Sequence, residues 1–170
     1  PAIPGSRAEA WLNARSLGMI AGVETKELVT HGDERGSFRE IIRRSDPVFR
    51  EGFGQWSHTV SYHGVAKAWH VHRKQTDWWY VAIGTVKAAL YDTRTDSPTH
   101  GELQELLMGD GQPPLVLKIP PGVAHGYRVL KGPAHVFYIV SHEYDGTDEG
   151  RIPHDNPEIG YDWTAGPKIT

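Results

Sequence analysis

Through most of the chain apolar and polar residues alternate with a period near two, the spacing of strands that bury one face. The runs that carry it most clearly cover residues 37–43, 55–61, 66–72, 78–83, 86–91, 103–108, 115–119, 126–130 and 135–141. Turn-forming residues separate them, at Pro98, Asp110-Gly111, Pro120-Pro121-Gly122 and Lys131-Gly132-Pro133. Many short strands joined by tight turns predict an all-β fold, a double-sheet antiparallel jelly roll or barrel. A helix is expected near the start, where Ser6 and Glu9 have capping-box spacing ahead of residues 10–15. The sequence thus reads as one domain over residues 1–170, with a helical arm at about 1–20 and an irregular tail at about 145–170.

Within this frame the cluster Trp78-Trp79-Tyr80 falls on one strand. With Asp77 facing the interior, Trp79 and Val81 share its side, while Trp78 and Tyr80 face outward. Large apolar groups on an outer face need a cover, either a second layer of the same subunit or a second copy in a homodimer.

Composition narrows the functional classes. The chain has 170 residues, a net charge of −3, and acidic and basic residues interspersed, so no nucleic-acid or membrane footprint is expected. Cysteine is absent, which excludes disulfides, thiolate metal sites and a cysteine nucleophile. No apolar run approaches the roughly 18 residues of a membrane span, and Pro1-Ala2-Ile3-Pro4 lacks a signal-peptide pattern. A soluble, cytoplasmic protein is expected.

The chemistry concentrates between Gly64 and Gly84, in the pattern G-x5-H-x-H-x4-D-x6-G. Residues two apart on a strand share a face, so His70 and His72 point the same way, and a turn over 73–76 can return Asp77 beside them. His125 follows a Pro-Gly turn downstream. Three neutral imidazoles and a carboxylate, His70, His72, Asp77 and His125, suit a divalent metal such as Zn, Fe, Mn or Ni. A metal there would act as a Lewis acid, and His70 as its ligand would no longer be a free base.

The G-x5-H-x-H pattern and the later Pro120-x-Gly122-x2-His125 resemble the two motifs of the cupin superfamily, with Asp77 at the usual Glu position. Further segments are similar to the dTDP-4-dehydrorhamnose 3,5-epimerase family. They are His31-Gly32-Asp33-Glu34-Arg35-Gly36-Ser37-Phe38-Arg39-Glu40, Gln55-x5-Ser61, Gly64-Val65, Tyr91-Asp92-x-Arg94-x2-Ser97-Pro98-Thr99-x-Gly101, Ile119-Pro120-x-Gly122-x-Ala124-His125-Gly126 and Ile159-Gly160-x2-Trp163. The resemblance implies a cupin jelly-roll homodimer acting on a nucleotide-linked 4-keto-6-deoxy sugar, as in dTDP-rhamnose synthesis. It places a base at His70 and an acid at Tyr138, the pair that inverts C3 or C5 through an enolate. It assigns Arg35 and Glu40 to the nucleotide diphosphate, and Gln55, Lys67, His125 and Tyr144 to substrate contacts.

Three positions depart from the family pattern. Asp77 stands where the family has an enolate-stabilising lysine, His72 where it has a glutamine, and Asn156, after Asp155, where an aspartate pairs with the base. A carboxylate opposes a nearby enolate, and an asparagine stabilises an imidazolium less than a carboxylate does.

These departures leave other readings in view: a metal-dependent cupin built on the four-residue site, or a non-catalytic sugar-binding module. The segment His70-Val71-His72-Arg73-x-Gln75 also resembles the sugar 3,4-ketoisomerase cupins. A pocket for a small polyketide or a free sugar is a further reading. His31, His63, His100 and His142 are assigned no role, and Asp92 with Arg94 is expected to be a structural pair at a strand end.

Overall fold

The computed structural model describes residues 19–166, so the expected N-terminal helix lies outside the described residues. The elements are β1 (Glu24–Glu27), β2 (Thr30–Asp33), β3 (Gly36–Arg39), a 3-10 turn at Pro47–Phe49, β4 (Gln55–Ser61), β5 (Ala66–His72), β6 (Asp77–Asp92), β7 (Leu103–Gly109), β8 (Leu115–Ile119), β9 (Val123–Val140) and β10 (Glu149–Arg151). All pairings are antiparallel. β6 and β9 run side by side over nearly their whole lengths and serve as a common spine.

That spine bends. The first part of β6 pairs with β8, which carries β1, and the last part of β9 pairs with β4. Beyond the bend, the second part of β6 pairs with β7, and the first part of β9 pairs with β5, which carries β10. Two sheet halves therefore face each other, as the alternating pattern predicts for a jelly roll.

The sequence reads two strands on either side of Gly84, and two more on either side of residues 131–133; the structure joins each pair into one long strand. Register shifts around Ile83 and Thr85 mark the bend. Gly84 has φ +79°, and a Cβ there would lie 2.6 Å from the Lys131 carbonyl oxygen and 2.7 Å from that of Pro133. Only glycine lets the chains approach this closely while turning the corner.

Between the halves lies the main core, in which Trp79, Val81, Val86, Leu90, Leu117 and Val129 pack together. The outer faces are covered in part by the chain itself. Trp78 is buried edge-on against Phe49 with its indole N–H donating to the Val48 carbonyl at 2.7 Å, so part of the outward aromatic face is closed within one subunit. On the other half Trp69 and Val71 point outward from β5 and lie under Tyr161 and Trp163. The tail is thus folded down, and contributes β10 where the sequence predicts irregular chain. Asp92 and Arg94 form the expected strand-end pair, with Ser97 and Thr99 completing the cluster.

The hairpin of β2 and β3 stands apart from the main sheet, with nearly all of its residues exposed. An isolated two-stranded hairpin has little stability of its own.

Candidate active site

Alternation on β5 turns Trp69 and Val71 outward and His70 and His72 inward, into a cavity of about 330 Å³ at the open end of the barrel. The turn over 73–76 returns the chain so that β6 opens with Asp77. His125 enters near the start of β9, after a turn held by the Gly122 N–H donating to the His72 carbonyl at 2.7 Å. His70 and His125 are cross-strand partners in the β5–β9 register. Three imidazoles and a carboxylate from separated segments therefore line one cavity, together with Gln55, Lys67, Tyr138 and Tyr144.

The three histidines have different surroundings. His125 is buried; its Nδ1 lies 3.0 Å from the Val123 carbonyl, which fixes the proton on Nδ1 and leaves the Nε2 lone pair 3.7 Å from Asp77. Burial pulls its pKa down to about 4 against the opposing pull of Asp77, so it is neutral at pH 7. His72 faces the Gln75 carboxamide at 3.2 Å through Nε2, and Asp148 at 3.8 Å through Nδ1. His70 is more open, and its Nδ1 lies 3.1 Å from Glu149 Oε1. Burial lowers the His70 pKa, partly offset by Glu149.

Asp77 is buried and accepts from the Gln75 amide at 2.8 Å and the Trp79 indole at 3.2 Å. Tyr138 is half-buried opposite Ser57 in the β4–β9 register; burial raises its pKa. Gln55 donates to Ser57 and accepts from the Tyr144 N–H, tying the loop after β9 to β4. Lys67 donates to Thr59 at 2.9 Å.

Two sequence expectations change here. Arg35 and Glu40 are not among the residues lining the cavity: Arg35 sits at the exposed hairpin tip paired with Asp33, and Glu40 pairs with Arg43. Asn156 is not beside His70 either; its Oδ1 caps a turn, accepting the backbone N–H of Glu158 at 2.8 Å and of Ile159 at 3.3 Å. Pairing of β10 with β5 instead brings in Glu149 and Arg151, which sequence reasoning missed. The alternation of Glu149-Gly150-Arg151 is their only local signal, and three residues are too few to read.

The metal-ligating set also shrinks. Among the described residues, His72, Asp77 and His125 place ligand atoms within 4.8 Å of one another, and His70 is not in that group. Two imidazole nitrogens and a carboxylate oxygen fit a divalent cation of the nitrogen- and oxygen-binding kind. The Gln75 amide contacts both His72 and Asp77, so a cation would have to displace it.

The family model for dTDP-4-dehydrorhamnose 3,5-epimerase matches residues 18–170. The spore coat polysaccharide biosynthesis protein SpsL of Bacillus subtilis is 47% identical over 150 residues, covering 86% of this chain and 98% of that protein. Among solved structures, a dTDP sugar isomerase from Desulfovibrio desulfuricans superposes with a TM-score of 0.81 at 28% identity, covering 86% of this chain and 94% of the other. An epimerase from Legionella pneumophila in complex with dTDP-4-keto-L-rhamnose gives 0.78 at 27% identity, covering 89% and 83%. With a jelly roll, a histidine-lined cavity and a family match that runs through both, this chain belongs to the dTDP-4-dehydrorhamnose 3,5-epimerase family.

Proposed function

We propose that the protein is an isomerase that epimerises a nucleotide-linked 4-keto-6-deoxy sugar at C3, C5 or both. The observation that carries this reading is that an imidazole, His70, and a phenol, Tyr138, line one cavity in a chain of this family. A hydrogen on C3 or C5 is acidified by the C4 ketone. His70, unprotonated near neutral pH because burial lowers its pKa, takes that proton through Nε2 and leaves an enolate. Tyr138, a phenol protonated at neutral pH, returns a proton to the opposite face and inverts the carbon. Solvent then resets both groups, so no net proton is gained or lost.

Lys67 and Arg151 are the basic residues lining the cavity and provide positive charge for the substrate's diphosphate or the enolate. A divalent cation held by His72, Asp77 and His125 would supply Lewis acidity toward the C4 oxygen. The proton transfers themselves belong to His70 and Tyr138.

The nucleotide is read as dTDP by similarity to the relatives. The working unit is read as a homodimer. The support is an apolar groove on the outer face, lined by Ile41, Phe53, Trp56, Tyr80, Phe137 and Ile139, with Phe53 and Trp56 each 65% exposed. The detached hairpin, with Phe38 64% exposed, offers a second apolar surface, and a second copy would carry its own Arg35 and Glu40 away from its own cavity. Light scattering of the purified chain distinguishes dimer from monomer, and a monomeric mass would remove this part.

The reaction is tested by incubating the protein with dTDP-4-keto-6-deoxyglucose in D2O and following the sugar by NMR. Deuterium at C3 or C5 with an inverted centre is the expected result. A ketone moved to C3 would mean ketoisomerisation instead, and binding without exchange across a panel of keto sugars would mean a sugar-binding module.

A further inference from the structure

Glu149 belongs to neither of the histidine motifs, yet it lies against the base. β10 pairs with β5 so that Glu149 faces His72 and Arg151 faces His70. Residues two apart share a strand face, so all four side chains lie on the cavity side, with Glu149 on the diagonal to His70. Its Oε1 is 3.1 Å from His70 Nδ1 and 3.0 Å from Arg151 Nη2, and the side chain is 15% exposed.

The other carboxylates nearby are engaged elsewhere. Asp77 serves Gln75 and Trp79, Asp148 accepts backbone N–H groups of the loop after β5, and Asp145 binds Thr147. Asn156 is spent on its turn. Among the described residues, Glu149 is the carboxylate within ion-pair distance of His70.

We infer that Glu149 is the positioning residue of the His70 base, holding the proton on Nδ1 so that Nε2 presents its lone pair to the substrate carbon. An imidazole free to rotate or change tautomer spends part of its time with the wrong nitrogen inward. A carboxylate hydrogen-bonded to Nδ1–H removes those states and stabilises the imidazolium formed when Nε2 takes the proton. Arg151, bonded to the same carboxylate, fixes Glu149 in turn. The strand that supplies both is three residues long, so anchoring by Arg151 and by neighbouring Asp148 keeps it in register.

This inference rests on the epimerase reading, and the experiment separates the two. Glu149→Gln keeps the size and changes only the hydrogen-bonding character. It is expected to lower kcat for deuterium incorporation by about 10²–10⁴-fold with KM within about threefold. Glu149→Asp is expected to recover part of the loss, and Asn156→Ala to stay near the parent rate. Independently of turnover, nitrogen-detected NMR of the imidazoles should show His70 as the Nδ1–H form in the parent and as a mixture in Glu149→Gln. A parent-like kcat together with an unchanged His70 tautomer in Glu149→Gln would overturn the inference. Unimpaired exchange in His70→Asn would instead sink the assignment of the base itself.

Discussion

Replacing Asp148 by alanine tests whether the cavity depends on the tail being locked to the loop after β5. Its carboxylate accepts the Arg73 N–H at 3.1 Å, that of Lys74 at 3.0 and 3.3 Å, and that of Gln75 at 3.2 Å. The side chain is 9% exposed and stands 3.8 Å from His72. Alanine leaves three partly buried backbone donors without their acceptor. Hydrogen bonds to a charged group contribute about 1.5–3 kcal/mol each, and water can replace some of them at this half-open loop, so a net loss of about 3 kcal/mol is expected. For a chain of this size that corresponds to a fall in Tm of about 6–12 °C. Urea unfolding at fixed protein concentration reads the free energy, because any dimer makes stability concentration-dependent. Activity should fall as well, since the loop carries Gln75 and the next residue of the tail is Glu149. A loss under about 0.5 kcal/mol, with full activity, would refute the argument that this carboxylate joins tail to loop.

Three further outcomes follow from particular contacts. His125 has its pKa depressed from 6.5 to about 4 by burial, so the unfolded chain binds that proton more readily and stability falls as pH drops through the window from about 6.5 to 4, by about 3 kcal/mol in total; unfolding curves for His125→Gln should lack this component. Gly126→Ala would set a Cβ 2.6 Å from both the Ala68 Cβ and the Lys67 carbonyl oxygen, pushing β5 away at a cost of about 1–3 kcal/mol, measurable by denaturation. Tyr138→Phe removes the acid but not the base: NMR should show exchange of the substrate hydrogen retained and inversion slowed by about 10²–10⁴-fold.

How far the fold was readable depended on how local its signals were. β4, β5 and β8 have the bounds the alternation predicts, and β7 extends one residue further, because each has a half-buried face written into consecutive residues. The corner at Gly84 reads in sequence as a gap between two strands, since a bulge and a turn use the same residue and only the neighbouring strand distinguishes them. β1, β2 and β10 are three or four residues long and largely polar or partly exposed, so their existence depends on partners far away in sequence.

The same distinction runs through the site. His70, His72, Asp77 and His125 were legible because they sit at fixed offsets on strong strands and turns. Glu149 and Arg151 were not, because pairing with β5 aims them inward and nothing in their own segment announces it. The resemblance pointed to a tail aspartate for the base, but Asn156 is folded into a turn, while the carboxylate in place comes seven residues earlier on a strand. The resemblance assigned Arg35 and Glu40 to the nucleotide diphosphate; the fold sets Arg35 at the tip of the β2–β3 hairpin and Glu40 just after it, neither lining the cavity, because the hairpin that carries them stands apart from the main sheet.

The most direct test is a crystal structure of the protein with a dTDP-linked 4-keto sugar or an unreactive analogue. The sugar ring is expected between His70 and Tyr138, with C3 or C5 within about 3.5 Å of His70 Nε2 on one face and the phenol hydroxyl on the other. A sugar bound outside this cavity, or lying with both groups on one face, would contradict inversion by these two residues.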